Sequence, residues 1–495
     1  MKKIIVAFNI IISLLSVGII FIDLRFMAIP KWISLIAMIV LLAFIVFEWI
    51  KGKHLFGKII FSVINILVLI ITFIGTYCNP YRNSMTLYQN PDYYCKEYKT
   101  EMSYDEAKAD LDEAMQYLKN IHPMFIHGFT PDVQELYNQA LSHLQRSKGI
   151  SVNDLCKEIE TVFSSLNDGH THIDARYSDY HYLKDIHAHS LAHDEIVAVN
   201  NITLEEIFEK NRNYFSYETE EYGLRKIKAC LQTIEDLNYI GFNIDDGITY
   251  TYMDSNGDLF DEKYYAKDFL TDEEYREYNN MDNLEDDESD DEYKFVEYEI
   301  LKSANMAVLT LHSCEYNDEY KKCLSDMFRE VKERGIDNVC VDLRDNSGGN
   351  SYVADEFIHY LDVDSYCTWG QDWRLGLILI PSNGSVLKNH KYTDFLFSGN
   401  VYMLTSIDSF SSAMDFAMLI SDNKLGKIVG EHSGNKPRSY GDISIFKLRN
   451  SGLVMQVSTK KWYRVDETNK DEFVEPDIAC DSEQALQVLM EHLKE

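Results

Sequence analysis

Three apolar runs at the start of the chain constrain what the rest of it can do. Ile4 to Ile22, Trp32 to Phe47 and Ile59 to Tyr77 are almost wholly apolar. Each approaches or exceeds the ~18 residues that a membrane-spanning helix needs. Apolarity all round a helix of that length belongs in lipid. The expectation is a three-helix transmembrane anchor over residues 1–78. Lys2 and Lys3 ahead of the first run resemble the start of a secretory signal, but no small-residue cleavage site follows it. Basic residues then set the orientation. Lys51, Lys53 and Lys58 lie between the second and third runs, whereas Asp23 offsets Arg25 and Lys31 in the first connector. The positive-inside rule puts everything after Cys78 outside the cytoplasm.

That outer part is too long for one ordinary domain. The whole chain has 495 residues and a formal net charge of −33. So acidic a surface repels a phosphate backbone and excludes nucleic acid as partner. Residues 79–102, with Pro80 and Pro91, read as a juxtamembrane linker. Residues 103–175 read as a helical domain, opened by a capping box at Ser103 and Glu106. Its apolar period runs through Leu111, Ala114, Met115 and Leu118 to His122-Pro123, and continues over 131–144 and 152–166. It closes on Asp168-Gly169-His170-Thr171, a turn signal. Residues 176–300 read as a small α+β substrate-binding or cap region, with an acidic, solvated loop at 272–299. Within it, 282–291 lacks the central Gly and the terminal Glu of a calcium loop. From 301 to 495, strands at Met306–Leu311 and Val339–Leu343 alternate with helices at Asn317–Arg334 and Tyr352–Leu361, an α/β core. Nine cysteines form no CxxC, no zinc spacing and no disulfide framework. His170 and His172 stand two apart without a thiol or carboxylate at matching spacing, so neither metal nor cofactor is expected.

Two stretches carry chemistry. Asn400 to Gly441 runs from an apolar strand, Val401 to Leu404, into a serine-rich turn, Ser406 to Ser412. An apolar helix follows, then a strand at Lys427–Gly430 and a Gly-containing loop holding Lys436. A serine at a strand-to-helix turn is exposed, with free backbone N–H groups beside it; helix capping is its other use. Asn338 to Asn350 runs from a strand into Asp342-Leu343-Arg344-Asp345-Asn346-Ser347-Gly348-Gly349. Paired glycines there let the main chain approach a ligand and turn its N–H groups inward.

Together these stretches resemble the S41 serine peptidases, the tail-specific or C-terminal processing proteases, whose strand-end motif is DLR-x-N-x-GG. The resemblance spans most of the chain after the first 100 residues. It implies a mixed α/β core of the ClpP/crotonase kind. Its Ser-to-Lys spacing selects Ser411 as nucleophile and Lys436 as base, with Asp422 and Gly430-Glu431 in their places. Ser412 and Gly348 or Gly349 would hold the oxyanion. The processing proteases carry a Gln where this chain has Tyr440. In the branch similar to nisin-resistance peptidase, a His in a DGHT-like turn pairs with the serine, which implies His170. Asp194 to Phe208 resembles the family's substrate-binding signature, without a full PDZ module. A His base starts near 6.5 and a Lys near 10.4, so energetics favour His170 while spacing favours Lys436. The expectation is Lys436 within hydrogen-bond reach of Ser411, with His170 farther off in the same cleft. The implied function is a membrane-anchored extracytoplasmic serine peptidase with peptide or protein substrates and membrane lipid around its anchor. The alternatives are a catalytically silent S41-like peptide-binding or sensor protein, and a structural membrane protein.

Overall fold

The computed structural model describes residues 2–25, 30–85, 92–279 and 294–494. The apolar runs form helices α1 (Lys2–Arg25), α2 (Lys31–Lys51) and α3 (Leu55–Phe73), the last continuing through Cys78. Two spans, Lys31–Lys51 and Leu55–Cys78, are long and apolar enough to cross a membrane. The apolar stretch of α1, Ala7–Ile22, is shorter, so helix length singles out two where the sequence pattern gives three. The bundle exposes apolar side chains such as Leu14, Ile39 and Leu67 outward. Its inside holds an amide pair, Asn9 Nδ2 donating to Asn65 Oδ1 at 2.7 Å.

Three amphipathic helices follow: α4 (Tyr104–Ile121), α5 (Pro131–Arg146) and α6 (Val152–Ser164). The expected capping box closes on α4, with Ser103 and Glu106 each satisfying the other's backbone N–H. Leu111, Ala114 and Leu118 pack inward, yet not into a core of their own. They share it with Phe446, Met455 and Val457 from the far end of the chain. Strand β1 (His172–Asp174) leaves this unit and carries the chain into the cap region. There β2 (Glu195–Val199), β3 (Ile248–Met253) and β4 (Leu259–Tyr264) form an antiparallel sheet with Ile202–Thr203. Asn200 and Asn201 turn with positive φ into α7 (Leu204–Asn211), as their sequence suggests, and α8 (Glu220–Ala229) follows. The acidic stretch opens with a short helix, Asp272–Tyr278. Its centre, 280–293, including the calcium-like 282–291, lies outside the described residues.

The strands of the two larger sheets after residue 295 are β5 (Val296–Leu301), β6 (Met306–Leu311), β7 (Asn338–Asp342), β8 (Gln371–Leu375), β9 (Ile378–Ser382), β10 (Asn400–Thr405), β11 (Lys427–Gly430), β12 (Tyr440–Lys447), β13 (Val454–Trp462) and β14 (Ile478–Ala479). Six build the main sheet in the order β5-β6-β7-β10-β11-β14, parallel except at β5. Parallel strands are covered on both faces and read as unbroken apolar runs, as 339–341 and 401–404 do. One face packs α9 (Asp318–Arg334), α10 (Tyr352–Ile358) and α11 (Ser412–Asp422); the other packs α12 (Ala485–His492) and Cys340. The second sheet runs β9-β8-β13-β12, and β1 pairs with β13. That pairing is what lays the 167–171 turn against the core. Crevices in α/β folds form at the carboxyl ends of the parallel strands, and β7 and β10 are adjacent there.

Candidate active site

Beyond β10 the chain turns through Ser406–Phe410 before α11 begins. The three candidate serines part company here. Ser409 Oγ donates to Leu343 O at 2.7 Å, and Ser412 Oγ to Gly349 O at 2.9 Å. Ser411 Oγ has no hydrogen-bond partner among the described residues. Ser411 itself sits at φ 53°, ψ −123° at the head of α11, its N–H donating to Asn435 Oδ1 at 2.7 Å. A non-glycine residue held in such a region costs about 1–3 kcal/mol and clusters at functional sites.

The end of β7 forms the opposing wall. Gly348 and Gly349 have φ of 108° and 137°. A Cβ on Gly348 would lie 2.7 Å from Ser411 Cβ and 3.0 Å from the Ser412 nitrogen. Only glycine fits there. Of the two expected glycine donors, Gly348 spends its N–H on Asn346 Oδ1 at 2.8 Å, which corrects its assignment as an oxyanion donor.

The third element is the turn after α6. Asp168 is fully buried and accepts from His170 N–H at 2.9 Å, from Ser458 Oγ at 2.7 Å and from His122 Nε2 at 3.1 Å. His122 Nδ1 accepts the Met124 N–H, so Nε2 carries the proton. Burial works against the Asp168 charge, but the hydrogen bond from His122 and the charges of both histidines hold its pKa well below the ordinary range. His170 packs its ring 4.7 Å from that of Phe410, and both its nitrogens are buried and unpartnered. Burial lowers its pKa, opposed by Asp168, whose Oδ1 is 3.9 Å from Nδ1. Burial therefore favours the neutral imidazole.

Lys436 does not follow its expectation. Its Nζ lies 2.6 Å from Glu472 Oε1 and over the Phe473 ring. What it turns inward is its backbone N–H, which donates to Glu218 Oε2 at 2.8 Å. Tyr440 packs its ring 4.5 Å from that of His122. Asp422 pairs with Arg464 at 2.9 Å, both buried, and so braces the end of α11 against the 464–473 segment.

Two groups had no sequence signal. Glu218, in the loop before α8, is buried and also accepts the Gly169 N–H at 3.3 Å. Burial, with the Asp168 charge behind it, pushes its carboxyl up to about 8. Asp415, one turn into α11, lines the cleft, and burial raises it to about 7. Asp168, His170 and Glu218 bring ligand atoms within 4.8 Å of one another, a constellation that spacing alone does not reveal. Both carboxyls already accept backbone N–H groups, so the arrangement is a hydrogen-bonded polar centre behind the imidazole. In front of it lies a cleft of about 870 Å³, lined by His170, Ser411, Ser412, Gly349, Asp415 and Tyr440 among others.

Among curated proteins none matches this sequence. Two structures of mature CPAF share the fold. One, in complex with lactacystin, has a TM-score of 0.57 at 10% identity and covers 79% of this chain and 97% of its own. The other has 0.57 at 11%, covering 78% and 96%. The photosystem II D1 C-terminal processing protease aligns at a TM-score of 0.43 and 12% identity over 79% of this chain and 97% of its own. Residues 305–480, which hold the Gly-Gly wall, the Ser411 turn and the Lys436 loop, match the family model of peptidase family S41, so this core is similar to that family.

Proposed function

We propose that the protein is a membrane-anchored serine peptidase acting outside the cytoplasm, with Ser411 as nucleophile and His170 as general base. One observation carries the reading. The Ser411 hydroxyl and both His170 nitrogens are unpartnered in one cleft, while Ser409, Ser412 and Asp168 are engaged. Neutral His170 takes the hydroxyl proton as Ser411 Oγ bonds to the scissile carbonyl carbon. The oxyanion that forms faces the N–H groups of Ser412 and Gly349. The imidazolium, its charge offset by Asp168, returns the proton to the leaving amine as the C–N bond breaks. Water then hydrolyses the acyl-enzyme by the same proton path. The Lys436 ammonium nitrogen is turned to Glu472, 2.6 Å from its Oε1.

The anchor is read as three spans. The Asn9–Asn65 pair supports α1 beside α3 in lipid, where amides need each other. The test of the chemistry is turnover of a quenched fluorescent peptide library. Ser411→Ala and His170→Ala should each lose at least about 10³-fold in kcat/KM, and Lys436→Ala less than tenfold. A dead Lys436→Ala beside an active His170→Ala moves the base to Lys436. A wild-type protein that neither cleaves nor reacts with a fluorophosphonate would instead be a silent peptide-binding relative.

A further inference from the structure

An apolar hairpin stands out on the acidic ectodomain. β8 and β9 are joined by the two-residue turn Gly376-Leu377, with Gly376 at φ 62°. Leu375 pairs with Ile378 and Trp373 with Ile380, so these four share one face of the ribbon. That face is bare: Leu375 is 39% exposed, Ile378 60%, Trp373 36% and Ile380 41%, while Leu377 at the tip is 90% exposed. On the other face Arg374 is buried and donates to the His122 carbonyl at 2.5 Å, which fastens the ribbon to the protein. From Leu375 to Leu387 the chain carries no charge at all. Contiguous exposed apolar surface of this kind marks an interaction site.

Its position says with what. The turn lies against the end of α3: a Cβ on Gly376 would be 3.8 Å from Pro80 and 3.9 Å from the Cys78 carbonyl. Tyr81, three residues past the helix, donates its hydroxyl to the Arg374 carbonyl. The start of α2 is at the same level, since Tyr77 Oη donates to Lys31 O at 3.1 Å. Exposed Trp32 follows Lys31 directly, so Trp32, Tyr77 and Trp373 gather where the helices end. Aromatic rings collect at the headgroup level of a bilayer. An uncharged ribbon is also the part of a strongly acidic ectodomain that an anionic surface does not repel.

We infer that the β8–β9 hairpin lies in the outer headgroup layer of the bilayer and sets the catalytic cleft at a fixed height above it. The inference rests on the membrane-anchored peptidase reading. β8 leads directly from the tip to Gln371, which lines the cleft with Trp369 and Trp462. At about 3.3 Å per residue, the six residue steps from Leu377 to Gln371 place the cleft about 20 Å above the tip. The substrates that fit are chain segments that emerge from the same membrane in extended form.

The test uses the full chain in phosphatidylcholine vesicles containing brominated lipid. A genetically encoded fluorescent amino acid stands at position 377, or at position 39 in the middle of α2. Cleavage of one peptide sequence, free in solution or tethered to lipid by a short stalk, is followed in wild type and in Leu377→Asp/Ile378→Asp. The inference expects lipid quenching at both positions, and a loss of at least fivefold on the tethered peptide with the free peptide unchanged. Quenching at 39 without quenching at 377 overturns the hairpin and leaves the anchor standing. Quenching at neither overturns the anchor itself. Equal loss on both peptides, or crosslinking of 377 to a second copy in place of lipid, also overturns it.

Discussion

His170 makes the sharpest statement at the scale of single residues, because its environment fixes the pH at which it works. Burial lowers its pKa below the ordinary 6.5, against the pull of Asp168. As general base it must be neutral, so kcat/KM should rise with pH along an acid limb that lies below the ordinary imidazole range. An ordinary lysine base would put that limb several units higher. A pH–rate profile of the wild-type protein therefore distinguishes the two without a mutant. Glu218 makes the complementary statement about stability. Its carboxyl is raised from an ordinary 4.5 to about 8, so the folded state binds a proton that the unfolded state has released. Its contribution is fully present below pH 4.5 and is lost as pH rises through 8, at no more than about 1.4 kcal/mol per pH unit in that window. The wild-type Tm should fall more between pH 5 and pH 8.5 than that of Glu218→Gln. Parallel curves would mean that Glu218 is ionised throughout.

Among elements, the meeting of β7 and β10 matters most. The space for Gly348 is closed by Ser411 Cβ at 2.7 Å, the Phe410 carbonyl at 2.9 Å and the Ser412 nitrogen at 3.0 Å. Gly348→Ala adds a clash to a φ of 108°, and two of the three obstructing atoms are main chain. The variant should lose a few kcal/mol of stability and at least about 10²-fold in kcat, since the wall and the nucleophile must part. Thermal melting and peptide turnover on the same preparation check both. Elements with a strong local signal were legible in the sequence. Met306–Leu311, Lys427–Gly430, the Ser103 cap and the Asn317 start of α9 all fall where their patterns put them. The Ser411 turn was legible too, because a strand, a polar turn and an apolar helix in series leave few geometries. Lys436 was not. Spacing fixes where a loop lies and leaves open which way a long side chain points, and Glu472 is 36 residues away in sequence. Glu218 and Asp415 were invisible for a related reason: burial produced by three separate segments leaves no trace in any one of them.

At the scale of the whole molecule, the shared core of α4–α6 with β12 and β13 means that the ends of the outer region are stitched together. Asp110 on α4 accepts the Asn450 N–H at 2.9 Å and the Ser451 N–H at 2.6 Å, across more than 300 residues. The outer region therefore stands or crosses the membrane as one body, and its side follows from the number of spans below it. Three spans with Lys2 and Lys3 inside place it outside; two spans return the chain to the side on which it entered. The basic residues favour the first arrangement. Lys53 lies in the second connector, with Lys51 and Lys58 at the helix ends that flank it, and Lys58 Nζ caps α2 there by donating to the Trp49 carbonyl at 2.8 Å. The first connector then faces outward with Tyr77 and the hairpin tip. A small epitope after Met1 and another after Glu495 decide it. In intact cells only the C-terminal epitope should be reached by antibody or removed by added protease, and the N-terminal one should appear after permeabilisation. Both epitopes exposed in intact cells would mean two spans with α1 outside, and both protected would put the cleft in the cytoplasm. Asn9→Leu adds a second reading. With α1 in lipid beside α3, losing the partner of Asn65 should cost about 0.5–2 kcal/mol of bundle stability, whereas an α1 outside the bundle would leave detergent-resistant stability unchanged.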